Sequence, residues 1–200
     1  MVSTNKFDGR VYDPTLLIFQ PFRLKDAGIV LSWVKSESDM PQWAGPVFTW
    51  PLTLVHFRRY LAAAKTKSPV LYPFGLYNGS TILGYCELSN YDRRFNCANA
   101  SRVIVSPKYR NKRLGQYMVG QLLAFGFEQL SLNRIGLGVF NFNTAAIKCY
   151  TKVGFTIEGT LRQSIKVGES YWNCHIMSIL RDEWRPTNKS HQHNFAVKKR

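Results

Sequence analysis

The stretch that decides the fold reads Arg102-Val103-Ile104-Val105-Ser106-Pro107-Lys108-Tyr109-Arg110-Asn111-Lys112-Arg113-Leu114-Gly115. It opens as a β-branched, strand-like run and stops at Ser106-Pro107, because proline cannot donate to a sheet ladder. A basic loop follows. From Leu114 the apolar residues Tyr117, Met118, Leu122 and Phe125 recur at spacings of three and four, and Val119, Leu123, Phe127 and Leu130 widen the stripe. This pattern predicts a well-buried helix ending near Leu130. A strand, a loop and a helix start bring unpartnered N–H groups and the positive end of a helix dipole to one point. Arg93, Arg94, Arg102, Lys108, Arg110, Lys112 and Arg113 are expected around the loop, and no acid occurs from Arg93 to Phe127. Such a site suits an anion, and a pyrophosphate group matches its charge.

Working outward, Leu16 to Phe22 reads as a first strand, and Asp26 begins a short helix carrying Ala27, Ile29, Val30, Leu31, Trp33 and Val34. Ser36 to Leu52 is rich in Trp and Pro and reads as a loop with aromatic anchors, too broken for a helix. Leu52 to about Lys67 is helical. Val70 to Leu76 and Thr81 to Ser89 are strands joined at Asn78-Gly79, a strong hairpin signal. A polar connection, Asn90 to Asn96, leads into the strand that ends at Val105. After the long helix, Arg134 to Phe140 is a strand. Asn143 or Thr144 caps a helix with Ala146, Ile147, Tyr150 and Val153 on its apolar side, and Gly154 sits at its C-cap. Phe155 to Ile165 and Tyr171 to Leu180 are final strands joined around Gly168.

The expectation is one α/β domain over residues 14–185, with a mixed, mostly antiparallel sheet. Residues 1–13 are expected to form a flexible arm, and 186–200 a basic, disordered tail. Val103 to Val139 should form a parallel strand–helix–strand crossover.

Bulk properties narrow the function classes. Two hundred residues, 14% of them aromatic, bury a sizeable core. No run of about 18 apolar residues occurs and the N-terminus has no apolar signal-like region, so a cytoplasmic protein without a membrane anchor is expected. Cys86, Cys97, Cys149 and Cys174 show no metal-ligand spacing with the four histidines, so no metal is expected. The net charge of +15 would serve nucleic acid, a ribosome, an anionic membrane or a polyanionic cofactor, and beyond the loop cluster and the tail a solvated basic surface is preferred over dedicated RNA binding.

Two segments carry a family resemblance. Val103 to Gly115 places Arg110 and Gly115 on a pattern of strand, Arg or Gln, two residues, Gly, one residue, and Gly or Ala. Arg113 stands where the first Gly usually is. The second segment, Asn141-Phe142-Asn143-Thr144-Ala145-Ala146-Ile147-Lys148-Cys149-Tyr150-Thr151-Lys152-Val153-Gly154-Phe155, continued by Glu158-Gly159 and Arg162, has the form Asn, helix, Tyr-x-Lys-x-Gly-Phe. Together they resemble the GNAT superfamily of acetyl-CoA-dependent N-acetyltransferases, most closely its branch of ribosomal-protein N-terminal and related small-amine acetyltransferases. The resemblance implies a GNAT-like fold and acetyl-CoA as co-substrate. It implies a coenzyme site formed by Val103, Ile104, Val105, Arg110, Asn111, Lys112, Arg113, Leu114, Gly115, Gln116, Asn143, Ala146 and Tyr150.

Acyl transfer from a thioester to an amine needs a proton acceptor for the amine and a proton donor for the leaving thiolate. Tyr150 is the candidate acid, although its spacing from Ala146 and Ile147 suits a core residue too. Glu87, expected on one strand face with Leu83 and Tyr85, is the candidate base, acting through water. Asp92 is a weaker one.

The acceptor is a primary amine, with a protein N-terminus, a polyamine, an aminoglycoside or an amino-acid metabolite all open. A basic protein disfavours polycations unless Glu37, Asp39, Glu87 and Asp92 make a local acidic pocket. A catalytically silent acyl-CoA-binding or RNA/ribosome-associated module is the alternative function, and a monomer or homodimer the expected state.

Overall fold

A computed structural model describes residues 5–7, 10–12 and 16–186. Its frame is a seven-stranded sheet in the order β3-β4-β5-β6-β7-β9-β8. The strands are β3 (Leu17–Pro21), β4 (Tyr72–Asn78), β5 (Thr81–Asp92), β6 (Cys97–Val105), β7 (Arg134–Phe140), β8 (Thr156–Val167) and β9 (Ser170–Leu180). Two short strands, β1 (Asn5–Phe7) and β2 (Arg10–Tyr12), pair with each other inside the expected flexible arm. The expected tail lies almost wholly outside the described residues.

All neighbours in the large sheet are antiparallel except β6 and β7, which run parallel as expected from the crossover between them. The β4–β5 turn places Gly79 at a left-handed φ of 57°, where a residue without Cβ is unstrained. Gly168 does the same between β8 and β9.

Helices cover both faces. α1 (Ala27–Leu31), α2 (Asp39–Ala44) and α3 (Leu54–Leu61) pack on one face, where Val30, Trp43 and Phe57 meet Tyr77 and Tyr85 of the sheet. α4 (Leu114–Ala124) and α5 (Thr144–Lys152) pack on the other, where Met118, Leu122 and Phe125 meet Phe74, Leu76, Leu88 and Ile135. Alternation along β5 sends Cys86 and Leu88 to the α4 face and Tyr85 to the α1–α3 face. Leu83 belongs to the α4 core, so it does not share a face with Tyr85 as expected.

Two further expectations are corrected. The Trp/Pro-rich segment holds the helix α2. Pro41 falls in its first turn, where a missing N–H breaks no helical bond, and Met40, Trp43 and Ala44 bury one side of it. The connection after Ser89 is also shorter. β5 continues to Asp92, whose carboxylate accepts from the N–H groups of Arg94 (2.8 Å) and Phe95 (3.0 Å) and so shapes the turn. Beyond Ala124 the long helix continues as a π-helical turn, Phe125–Gln129, close to the expected end.

Candidate active site

β6 and β7 pair only at their starts, through Cys97–Arg134, Ala98–Ile135 and Asn99–Gly136. Past that point β6 stays with β5, and β7 stays with β9 as far as Phe140–Cys174. The two strands therefore part, and a cleft of about 440 Å³ opens near the gap. A bulge turns β6 at the same place. Glu87 lies opposite Ser101 and Tyr85 opposite Ile104, so β6 spends one extra residue, and Arg102 takes a left-handed φ of 50°.

The helix α4 begins after the basic loop. Its cap residue Arg113 has φ 61° and ψ 10° and makes no side-chain cap. The first intrahelical bond runs from the Tyr117 N–H to the Arg113 carbonyl at 3.0 Å, so the N–H groups of Leu114, Gly115 and Gln116 precede it. Arg113 thus occupies the backbone region glycine favours, and Asn111 does too, at φ 62°. A Cβ on Gly115 would lie 3.3 Å from Cys149 Sγ, so a small residue lets α4 start close against α5.

The expected coenzyme residues separate by role. Val103, Asn143, Ala146 and Tyr150 line the cleft. Asn143 also caps α5, its Oδ1 accepting from the Ala146 N–H at 3.2 Å. Ile104 packs toward the α1–α3 core, and Val105 toward the α4 core. Leu114 is a buried anchor, so only its backbone faces the loop. Arg110 and Arg113 are exposed beside the helix start, with Lys112 partly buried between them.

Arg93 and Arg94 are not at this loop. They lie in the turn before β6, at the opposite end of a nine-residue strand, roughly 30 Å long at 3.3 Å per residue. Arg93 donates to the Pro69 carbonyl at 2.9 Å, and Arg94 stacks over Phe95. Sequence proximity placed them at the loop because charge carries no direction.

Arg102 also leaves the loop. It is buried, and its Nε donates to Glu87 Oε1. Glu87 is fully buried. The Tyr60 hydroxyl donates to Glu87 Oε1 at 2.7 Å, and the Tyr85 hydroxyl to Oε2 at 2.5 Å. The Arg102 guanidinium donates in turn to the Tyr60 oxygen. Glu87 itself does not line the cleft, whereas Tyr60 and Arg102 do. Desolvation raises the Tyr60 hydroxyl above its ordinary value, opposed by Arg102, and lowers the Arg102 guanidinium.

Tyr150 sits in the opposite wall with its ring 5.9 Å from that of Phe155. Burial pushes its hydroxyl well up, so it stays protonated at neutral pH. Sequence patterns place Tyr85 beside Glu87 but do not reveal Tyr60 or the pairing of Arg102 with Glu87. Their one visible signal is a charged residue inside each of two apolar strands. Gln42, Trp43 and Ala44 of α2 line the cleft as well.

A family model described as "Acetyltransferase (GNAT) family" matches residues 37–155, a span that runs from the turn before α2 through both motif segments. The chain belongs to the acetyltransferase (GNAT) family. Its fold is the GNAT fold, a mixed sheet with one parallel pair. Among similar proteins, the SPbeta prophage-derived uncharacterized N-acetyltransferase YokL of Bacillus subtilis is 28% identical over 105 residues, 52% of this chain and 59% of that protein. The spermidine N(1)-acetyltransferase of Escherichia coli K12 is 30% identical over 89 residues, 44% of this chain and 48% of that protein. The matches thus span about half the length of these relatives. A crystal structure of the Vibrio cholerae spermidine N-acetyltransferase with CoA and spermine superposes with a TM-score of 0.74 at 18% identity, covering 84% of this chain and 98% of that one. That likeness is one of fold.

Proposed function

We propose that this GNAT protein is an acetyl-CoA-dependent N-acetyltransferase acting on a small primary amine. The observation that carries the reading is the parting of β6 from β7, with Val103 on one wall and Asn143 and Tyr150 on the other. The spermidine N-acetyltransferases among its relatives support a small amine as acceptor. They give no support to a protein N-terminus or to the ribosomal-protein branch.

The residues present fit the coenzyme. The uncapped N–H groups at the start of α4, flanked by Arg110, Lys112 and Arg113, suit a pyrophosphate, and the open edge of β6 suits an extended arm beside Val103. Acetyl-CoA supplies an activated thioester acyl group. The protein's part is to hold the amine against it, accept the amine's proton and return one to the departing sulfur.

Tyr150 is the proton donor in this reading, kept protonated by its burial. Glu87 is the proton acceptor at one remove. Enclosed as it is, it reaches the cleft through Tyr60, whose hydroxyl proton passes to Glu87 as its oxygen takes the proton of the incoming amine or of a water beside it. Arg102 holds Glu87 and Tyr60 in line. Full-length protein with acetyl-CoA and a panel of small amines should release coenzyme A thiol and add one acetyl group to the amine. Absence of thiol release across the panel would sink the reading and favour a silent acyl-CoA-binding module.

A further inference from the structure

We infer that the acceptor is a singly charged primary amine with an uncharged body, and that polyamines are poor substrates. This deepens the acetyltransferase reading and rests on it.

The cleft lining includes Gln42, Trp43, Pro46 and Val47 of α2 and the turn after it, with Tyr60, Ser89 and Asn90. All are neutral. The one formally charged side chain in the whole lining, among the described residues, is Arg102, whose charge is matched by the buried Glu87. The acids that would make an anionic pocket lie elsewhere. Glu87 is enclosed by Arg102, Tyr60 and Tyr85. The Asp39 carboxylate accepts from the Lys35 N–H at 3.1 Å, and Asp92 shapes the turn before β6. Glu37 is exposed and outside the lining.

A polyamine carries a second ammonium a few methylenes from the reacting nitrogen. In this cleft that ammonium would lose water beside a guanidinium, with no carboxylate to meet it, in a protein of net charge +15. A methylene chain or ring instead gains the apolar surfaces of Trp43, Pro46 and Val47, and a neutral polar group finds Gln42, Ser89 and Asn90.

The test is a matched pair, 1-aminopentane against 1,5-diaminopentane, with spermidine beside them, scored as kcat/KM for thiol release. The two share a five-carbon chain, and the diamine adds one terminal ammonium. We expect the monoamine to win by about 10-fold or more, the order expected for an unpaired desolvated charge. Gln42→Glu should narrow that ratio several-fold by adding a carboxylate to the cleft lining. Spermidine or the diamine matching or beating the monoamine overturns the inference while leaving the acetyltransferase reading intact, and so does a ratio unmoved in Gln42→Glu. No release with any amine overturns the reading itself and the inference with it.

Discussion

Replacing Glu87 by glutamine keeps the side chain's shape and removes its charge. Glu87 is wholly buried, and its two oxygens accept from Arg102, Tyr60 and Tyr85. A glutamine has one acceptor oxygen and one donor nitrogen, so its N–H group either meets the Arg102 donor or forces the Tyr85 hydroxyl to turn from donor to acceptor. Arg102, only 9% exposed as a residue, is left without a counter-charge. Breaking a buried pair from one side costs about 3–5 kcal/mol, against a total stability of about 5–15 kcal/mol for a domain. For a chain of this size that is a fall of roughly 6–20 °C in Tm. Urea unfolding followed by circular dichroism reads it directly. A cycle of Glu87→Met, Arg102→Met and the double variant separates structure from chemistry. The double variant removes both charges, so it should recover at least about 2 kcal/mol relative to the two single losses added. If Glu87 receives the amine's proton through Tyr60, the double variant stays about 100-fold down in kcat despite its recovered fold. A Glu87→Gln cost under about 1 kcal/mol would refute the buried pair. Recovery of kcat in the double variant would refute the proton route.

Other outcomes rest on the same geometry. Tyr150→Phe should lower kcat by about 100- to 10,000-fold with KM for acetyl-CoA little changed; turnover near wild type would remove Tyr150 from the chemistry. Because burial raises the Tyr150 hydroxyl above the ordinary value of 10.0, the wild-type kcat–pH profile should show no basic limb from this group at or below that pH. Arg113→Gly should leave coenzyme affinity within about 3-fold and stability within about 1 kcal/mol, because relief of a left-handed residue offsets the added chain freedom; an affinity loss above about 10-fold would show that the Arg113 side chain binds phosphate. Glu158 is held at about 2 by its hydrogen bonds from Arg134 and Ser178. Its depressed value stabilises the fold above the unfolded carboxylate range, an effect lost as pH falls through 2, and high salt should move its NMR titration midpoint upward because the pair is exposed.

The elements legible in the sequence are those whose signal is local. The stripe through Tyr117, Met118 and Leu122 announces α4. The Asn143 cap and Gly154, at φ 105°, bracket α5. Hairpin glycines mark two of the turns. α2 escapes because Pro41 reads as a breaker unless its position in the first turn is known, and that position depends on where the helix begins. The pairing of Glu87 with Arg102 escapes for a different reason. The two residues are 15 apart on neighbouring strands, and strict alternation from the Glu87–Ser101 register would point Arg102 to the opposite face.

That register links the fold to the chemistry. Ser101 shares a face with Ser89, their hydroxyls 2.7 Å apart, and without a bulge Val103 would lie on that face as well. The extra residue at Arg102 inverts the phase of the rest of β6. Ile104 turns to the α1–α3 core, and Val103 and Val105 turn to the side of α4 and α5, where Val103 lines the cleft. The same left-handed residue swings the Arg102 side chain onto Glu87. The strain of that φ, on the order of 1–2 kcal/mol, is smaller than the about 3–5 kcal/mol at stake in the buried pair it permits. One residue's conformation therefore brings together the wall proposed to face the coenzyme and the ion pair proposed to receive the proton. A change that restores regular pairing of β6 should lose both together.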